Sequence, residues 1–240
     1  MPRLPKWMAD GMERVFSKYF HPVEIQNIQC LSAQMRKITF KGNFSGVTYE
    51  PGQVIEFRVT PTDFRHYTPY RFDIEKGLCE IVFYLNGKGI GHNWIKELKV
   101  GQCLDLIGPG GKKRLDLNQS HHFLFGDDTS IGLIGALTSH LLHKEYFVIL
   151  ELDEVNFKVL NRFDFEAEKV FKNATKPGQQ ALDLIETLPA TFWNNWKEAT
   201  FYLTGRTASI KRLRNTLINK GIHRSNIVSA PYWQDGKKGL

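Results

Sequence analysis

The feature that most constrains this chain is a single change of texture near its middle. Between His21 and Gly111 six short β-rich runs, 23–31, 36–41, 54–60, 66–73, 78–85 and 103–107, are separated by Gly, Pro, Asn or Asp. Strands of this length, spaced by turn residues, specify an antiparallel sandwich or closed Greek-key barrel. Beyond Leu117 the order becomes strand (122–126), helix (129–143), strand (146–152), helix (181–188), strand (200–204), helix (209–220) and strand (226–230). Alternation of this kind requires a parallel sheet with helices on its faces, because parallel strands need long crossovers. The fold class expected is therefore an N-terminal antiparallel Greek-key β-barrel followed by an α/β nucleotide-binding domain with a parallel sheet. A helical segment is expected over 1–20, the barrel over 21–117 and the α/β domain over 118–240. The glycine turn Gly108-Pro109-Gly110-Gly111 and the basic run Lys112-Lys113-Arg114 mark the passage between the two. One helix is expected inside the barrel, over 91–98, and residues 153–177 show no period and receive no assignment.

Composition narrows the class further. A hydrophobic content of 42% over 240 residues suffices for two cores. No apolar run approaches the roughly 20 residues needed to span a bilayer, so no integral membrane segment is expected. The first 20 residues interleave Lys6, Asp10, Glu13, Arg14 and Lys18 with the helically spaced Met8, Met12, Val15, Phe16 and Tyr19. That pattern is an amphipathic helix and not a secretory leader, and a cytoplasmic location is the expectation. Cys30, Cys79 and Cys103 form no C-x-x-C and are expected as buried thiols. The net charge of +7 lies mostly in residues 1–118, which hold 17 basic and 12 acidic side chains. Because the basic residues are scattered singly except for Lys112-Lys113-Arg114 and Lys237-Lys238, an anionic small molecule is expected as the partner, and not nucleic acid.

The segment richest in chemistry is Arg65-His66-Tyr67-Thr68-Pro69-Tyr70-Arg71-Phe72-Asp73. Arg65 and Tyr67, two apart on a strand, share a face. A guanidinium can pair with phosphate, and a phenol ring can stack on a planar heterocycle. Taken alone, the run fits an exposed strand with cross-strand pairs equally well. Gly89-Ile90-Gly91-His92 forms a glycine turn opening a helix, and Gly126-Asp127-Asp128-Thr129 ends a strand and opens another. The second turn reads either as a ligand crevice or as an ordinary N-cap. Neither G-x-G-x-x-G nor a P-loop is present. There is no G-x-S-x-G, and no metal site is expected, since His140 and His143 lack a third ligand.

Taken in order, these segments resemble one family. Arg65-x-Tyr67-Thr68 is similar to the flavin motif of the ferredoxin-reductase superfamily, and its extension to Arg71-Phe72-Asp73 resembles the siderophore-interacting proteins. The Gly89–Trp94 turn stands where that family has Gly-Pro-Ala-Ser-x-Trp, and Gly126–Thr129 resembles its Gly-Asp-Glu-Thr. Tyr232-Trp233-Gln234-Asp235-Gly236 resembles Tyr-Trp-Arg-x-Gly. The chain departs from the pattern at Ile90-Gly91-His92, at Gln234, and at Arg206, where the family has Glu. The resemblance spans roughly residues 22–236.

It implies a cofactor, FAD, with Arg65 on phosphate, Tyr67 stacked, Thr68 near N5, Arg71 adjoining, and Gly89, Ile90, Gly91 and His92 at the pyrophosphate. It further implies cofactor contacts from Asp127, Asp128 and Thr129, and an acceptor side with Arg206, Trp233, Lys237 and Lys238. The activity implied is reduction of a ferric siderophore or other ferric chelate to release Fe(II). NAD(P)H is the expected donor and a ferredoxin-like protein the alternative one. No general acid or base is required. The rival readings are a flavin reductase of the same fold with another acceptor, and a non-redox barrel binding anions or nucleic acid.

Overall fold

The computed structural model describes residues 19–85, 87, 89–111, 116 and 118–237, so the expected N-terminal helix lies outside the described residues. The chain divides into two compact units, Met1–Arg114 and Leu115–Leu240. The first unit contains β1 (Phe20–Ser32), β2 (Met35–Gly42), β3 (Val54–Arg58), β4 (Phe64–Tyr67), β5 (Arg71–Asp73), β6 (Leu78–Tyr84), helix α1 (Ile90–Glu97) and β7 (Cys103–Gly110). Its strands form one antiparallel sheet in the order β4-β3-β7-β1-β2-β6-β5. The terminal strands β4 and β5 are separated along the chain only by residues 68–70. A flat seven-stranded sheet would put them roughly 29 Å apart, whereas that link spans at most about 15 Å. The sheet therefore curls round into a barrel.

Alternation along each strand fills the barrel. On β2, Ile38 and Phe40 point inward while Lys37, Thr39 and Lys41 do not. They face Ile81 and Cys79 across β6 in register. Phe40, Phe57, Phe83, Ile25 and Ile55 complete the core, each buried aliphatic or aromatic side chain contributing about 1.5–3 kcal/mol. The same alternation corrects the cysteine expectation. Only Cys79, opposite Phe40 in that alternation, is buried; Cys30 and Cys103 are exposed.

The strand expected over 66–73 is two strands. Pro69 has no N–H to donate to a ladder, and the Tyr70 N–H goes to the Glu80 carbonyl, 2.8 Å away, which starts the pairing of β5 with β6. β4 pairs instead with β3. Breaking the run at Thr68–Tyr70 lets one continuous sequence serve both ends of the sheet.

The second unit holds β8 (His121–Asp127), α2 (Ile131–Thr138), β9 (Glu145–Leu152), β10 (Glu168–Phe171), α3 (Gln179–Thr187), α4 (Ala190–Trp196), β11 (Thr200–Arg206), α5 (Thr207–Asn219) and β12 (Ile227–Trp233). The sheet is parallel, in the order β10-β9-β8-β11-β12. β11 is buried along its whole length, as a strand covered on both faces must be. On one face Phe123, Phe125, Phe201 and Leu203 meet Ile185 of α3, Trp196 of α4 and Leu213 of α5. His121 and His122 point oppositely, as adjacent strand residues should: His121 sits edge-on to Trp196 and His122 lies parallel to Tyr202.

Three expectations change here. The helix foreseen over 129–143 opens with a 3-10 turn at Asp128–Ser130 and closes at Thr138, leaving His140 and His143 beyond it. Within the unassigned 153–177, Glu154–Arg162 coils as a 3-10 run and β10 adds an edge strand. A further helix, α4, follows Pro189.

Candidate functional site

In the first unit the flavin-like motif and the glycine turn come together. Arg65 and Tyr67 share a face of β4, and α1 crosses directly over them. A methyl group placed on Gly91 would lie 3.4 Å from the Tyr67 hydroxyl and 3.8 Å from Arg65 Cγ. α1 opens from Gly89, whose φ of 94° only glycine adopts readily. Among the described residues no side chain caps the helix, and its first turn carries no acidic residue. Its leading N–H groups and positive dipole end are thus left for an external acceptor. The Gly87 N–H donates to His92 Nδ1 at 3.1 Å, so neutral His92 carries its proton on Nε2.

Arg65 Nη1 donates to the Phe64 carbonyl at 2.7 Å, and among the described residues no carboxylate pairs with it. The Tyr67 ring has Trp94 nearly parallel at 6.1 Å, Phe83 edge-on at 4.7 Å and Phe57 at 6.3 Å. Burial pushes its hydroxyl well above the usual phenol range while Arg65 pulls the other way, so the phenol stays neutral. Thr68 follows β4 immediately. The break after it is held by Tyr49, whose hydroxyl donates to the Pro69 carbonyl at 3.4 Å and whose ring stacks on Phe72 at 4.8 Å. Arg71 is exposed on β5, at the other end of the sheet order from Arg65, beside Asp73, Lys76 and Glu80. A guanidinium, a half-buried phenol and an uncapped helix start meeting at one glycine fit FAD, whose phosphates need cationic and N–H donors and whose ring needs an aromatic neighbour.

In the second unit the residues foreseen as ligands bind one another. Asp127 Oδ1 accepts from the Thr129 N–H (2.9 Å) and hydroxyl (2.5 Å), and its Oδ2 accepts from the Arg206 N–H (2.9 Å) and Trp233 Nε1 (2.7 Å). One carboxylate thus ties together the carboxyl ends of β8, β11 and β12. Gly205 makes this possible: its φ is 97°, and a Cβ there would stand 2.5 Å from Asp127 Cγ. Asp128 is fully buried, where it pairs with Lys172 and accepts from Asn156 Nδ2 at 2.7 Å. Burial pushes its pKa up to about 6, against the pull of Lys172. Glu151, also buried, accepts from the Gly178 N–H and the Ser209 hydroxyl, both at 2.7 Å.

Arg206 is 7% exposed and fully engaged. Its Nε and Nη2 donate to Asp235 at 3.0 Å, its Nη1 and Nη2 to the carbonyls of Asn173 and Ala174 at 3.1 Å, and its guanidinium lies 5.3 Å from the Trp233 ring. Two of the three departures from the family pattern, Arg206 and Gln234, are therefore neighbours in space, since the partner of Arg206 directly follows Gln234. Asp127, Asp128, Thr129, Arg206 and Trp233 act here as a clamp on the carboxyl edge of the sheet, because their polar atoms are satisfied from within. Lys237 is exposed at the end of this segment, and Lys238 lies outside the described residues. Spacing along the chain did not reveal Arg36, Glu151, Lys172 or the supporting role of Trp94; Gly205 and the N-cap reading of Gly126–Thr129, which Asp127 fulfils by accepting from the Thr129 N–H, are the local signals that the clamp left in the sequence.

Among the described residues no cluster of His, Cys, Asp or Glu could hold a metal ion, and no helix is long and apolar enough to cross a membrane. A curled antiparallel sheet with this glycine turn, followed by a parallel α/β unit, is the ferredoxin-reductase-like fold. Residues 22–114 match the oxidoreductase FAD-binding domain, and residues 119–236 match the siderophore-interacting protein family model. The chain thus carries an oxidoreductase FAD-binding domain followed by a siderophore-interacting protein domain. It is 27% identical over 214 residues to the ferric vibriobactin reductase ViuB of Vibrio cholerae, an alignment covering 84% of this chain and 76% of that protein. In fold it resembles the siderophore-interacting protein SipS of Aeromonas hydrophila, with a TM-score of 0.73 and 18% identity over 92% of this chain and 94% of that one. It also resembles the ferredoxin-NADP+ reductase of Plasmodium falciparum, with a TM-score of 0.72 and 13% identity over 90% and 97% of the two chains.

Proposed function

We propose that this protein reduces ferric siderophores or related ferric chelates, with electrons passing from NAD(P)H by way of FAD, and so releases iron as Fe(II). The observation that carries the reading is the meeting of Arg65, Tyr67 and the uncapped start of α1 at Gly91. In this reading Arg65 pairs with flavin phosphate and the leading amides of α1, with His92 Nε2 beside them, hold the pyrophosphate. Tyr67 covers the flavin ring as a neutral phenol, and Thr68 orients its edge. When bound, FAD accepts a hydride and gives up electrons singly, a change of electron count that iron requires and side chains cannot supply. No residue needs to move a proton at the iron, and hard oxygen donors hold Fe(II) less strongly than Fe(III). The resemblance to ViuB, named for ferric vibriobactin, supports the acceptor class.

One observation favours a second reading of the donor. The carboxyl edge of the parallel sheet, where a dinucleotide would lie, carries the buried Asp127, Asp128 and Glu151, and the donors of Thr129, Arg206 and Trp233 there are engaged internally. Such an edge suits the phosphates of NAD(P)H poorly and is consistent with a ferredoxin-like donor. Both readings are tested on the purified protein loaded with FAD under anaerobic conditions. The flavin absorbance should bleach with NADH, NADPH or reduced ferredoxin and return when a ferric siderophore is added. Bleaching by ferredoxin alone would select the second donor; absence of recovery with any ferric chelate would overturn the reductase assignment.

A further inference from the structure

Resting on the flavin reading above, we propose that Arg36 is a positioning residue for FAD, acting on the phosphate-facing turn through the length of α1. Arg36 stands on β2, in register with Phe83 of β6 and Cys30 of β1. It is remote in sequence from the flavin motif and is assigned no role by it. Its Nη1 donates to the carbonyls of Ile95 (3.1 Å) and Lys96 (3.3 Å). Both carbonyls belong to the last turn of α1, where no intrahelical partner exists and the helix dipole is negative. A guanidinium is suited to that end, and among the described residues no carboxylate draws Arg36 elsewhere.

α1 has eight residues. Helices of that length are not stable by themselves in water, so tertiary contacts decide where this one lies. Gly91, Trp94 and Ile95, spaced i, i+3 and i+4, form the face turned to the barrel. Gly91 lies over Tyr67, Trp94 packs on Tyr67 and on Phe57 at 5.3 Å, and Ile95 is buried in the core. These apolar contacts set the height of the helix above the sheet and its rotation, but dispersion forces tolerate sliding along the axis. Hydrogen bonds to two carbonyls at the helix end do not. Arg36 therefore fixes the axial position of α1, and with it the place of the leading amides about 12 Å away at the other end.

The test compares FAD with riboflavin, which has the same ring system and no phosphate, on the apo forms of wild type, Arg36→Met and Arg36→Lys. Arg36→Met should weaken FAD binding roughly tenfold and leave riboflavin binding within about twofold, the size expected for a charge-assisted contact. Arg36→Lys, still able to donate to one carbonyl, should recover most of the loss. Amide exchange in the apo protein should quicken across α1 in Arg36→Met before any global loss of protection. Equal weakening of both ligands would overturn the inference by showing a general structural role, as would unchanged FAD affinity. Wild-type protein that bound neither FAD nor riboflavin would sink the flavin reading itself, and this inference with it.

Discussion

The Asp127 carboxylate and the Gly205 backbone approach so closely that neither residue has an obvious substitute. A methyl group at Gly205 would overlap the carboxylate at 2.5 Å and would force an L side chain to a φ of 97°. Gly205→Ala should therefore lower stability by roughly 2–4 kcal/mol, from strain combined with a disturbed buried carboxylate. Urea denaturation measures this, and a loss below about 1 kcal/mol would mean that the clamp is soft. Neighbouring Asp128 makes a pH-dependent contribution whose sign is set by burial. Its pKa is about 6 in the native protein, against an ordinary 3.8. The native state thus holds this proton more tightly than the unfolded chain does. Its contribution is fully present below about pH 3.8 and is lost as pH rises through about 6. His122 behaves oppositely, since burial lowers its pKa: its contribution is fully present above the ordinary 6.5 and is lost as pH falls from there through its lowered native value. Asp128→Asn should accordingly remove the part of the wild-type stability that grows between pH 6 and 4. Parallel stability–pH profiles for the two proteins over that window would refute the assignment.

At the scale of elements, α1 and β4 behave as one unit because the Tyr67 ring is the surface on which the helix lies. Tyr67 has two separable properties, its ring in the packing and its hydroxyl beside Gly91. Tyr67→Phe should stay within about 1 kcal/mol of wild-type stability, since the hydroxyl has no hydrogen-bond partner among the described residues. Tyr67→Ala should destabilise the protein by roughly 2–4 kcal/mol, through the cavity left against Trp94, Phe83 and Phe57. Thermal unfolding of the apo forms checks both, and bound-flavin fluorescence should be quenched in Tyr67→Phe as in wild type. A Tyr67→Ala protein as stable as wild type would show that α1 does not rest on this ring. The alternation of β2 and the amphipathic spacing of α5 were legible from the sequence. The split of 66–73 into β4 and β5 was not, because apolar periodicity continues through Pro69 and only the pairing partners, β3 and β6, reveal two strands. β10 was missed for a similar reason, since a four-residue edge strand has too little period to detect.

For the whole molecule the relevant quantity is the positive charge of the first half of the chain. If it draws anionic ferric chelates toward the flavin, the second-order rate of flavin reoxidation should fall steeply between about 0.01 M and 0.1 M salt, as the Debye length shrinks from about 30 Å to about 10 Å. A neutral ferric chelate should show little change over the same range. Stopped-flow traces at the two salt concentrations decide this: an equal salt dependence for both chelates would refute long-range attraction.

The sequence by itself determined the order of a β-barrel and a parallel α/β unit, because strand and helix periodicities are local and survive without a partner. It also singled out the residues proposed to hold FAD, because Arg65 and Tyr67, and separately the glycines of the α1 turn, sit within short runs. Only the tertiary structure decided what the carboxyl edge of the second unit does. Asp127, Arg206, Trp233 and Asp235 come from three strand ends and the turn beyond the last, and nothing in their separate neighbourhoods announces that each satisfies the others. A buried polar group takes whichever partner the fold brings within about 3 Å. Whether such a residue can meet a ligand is therefore settled by contacts distant in sequence.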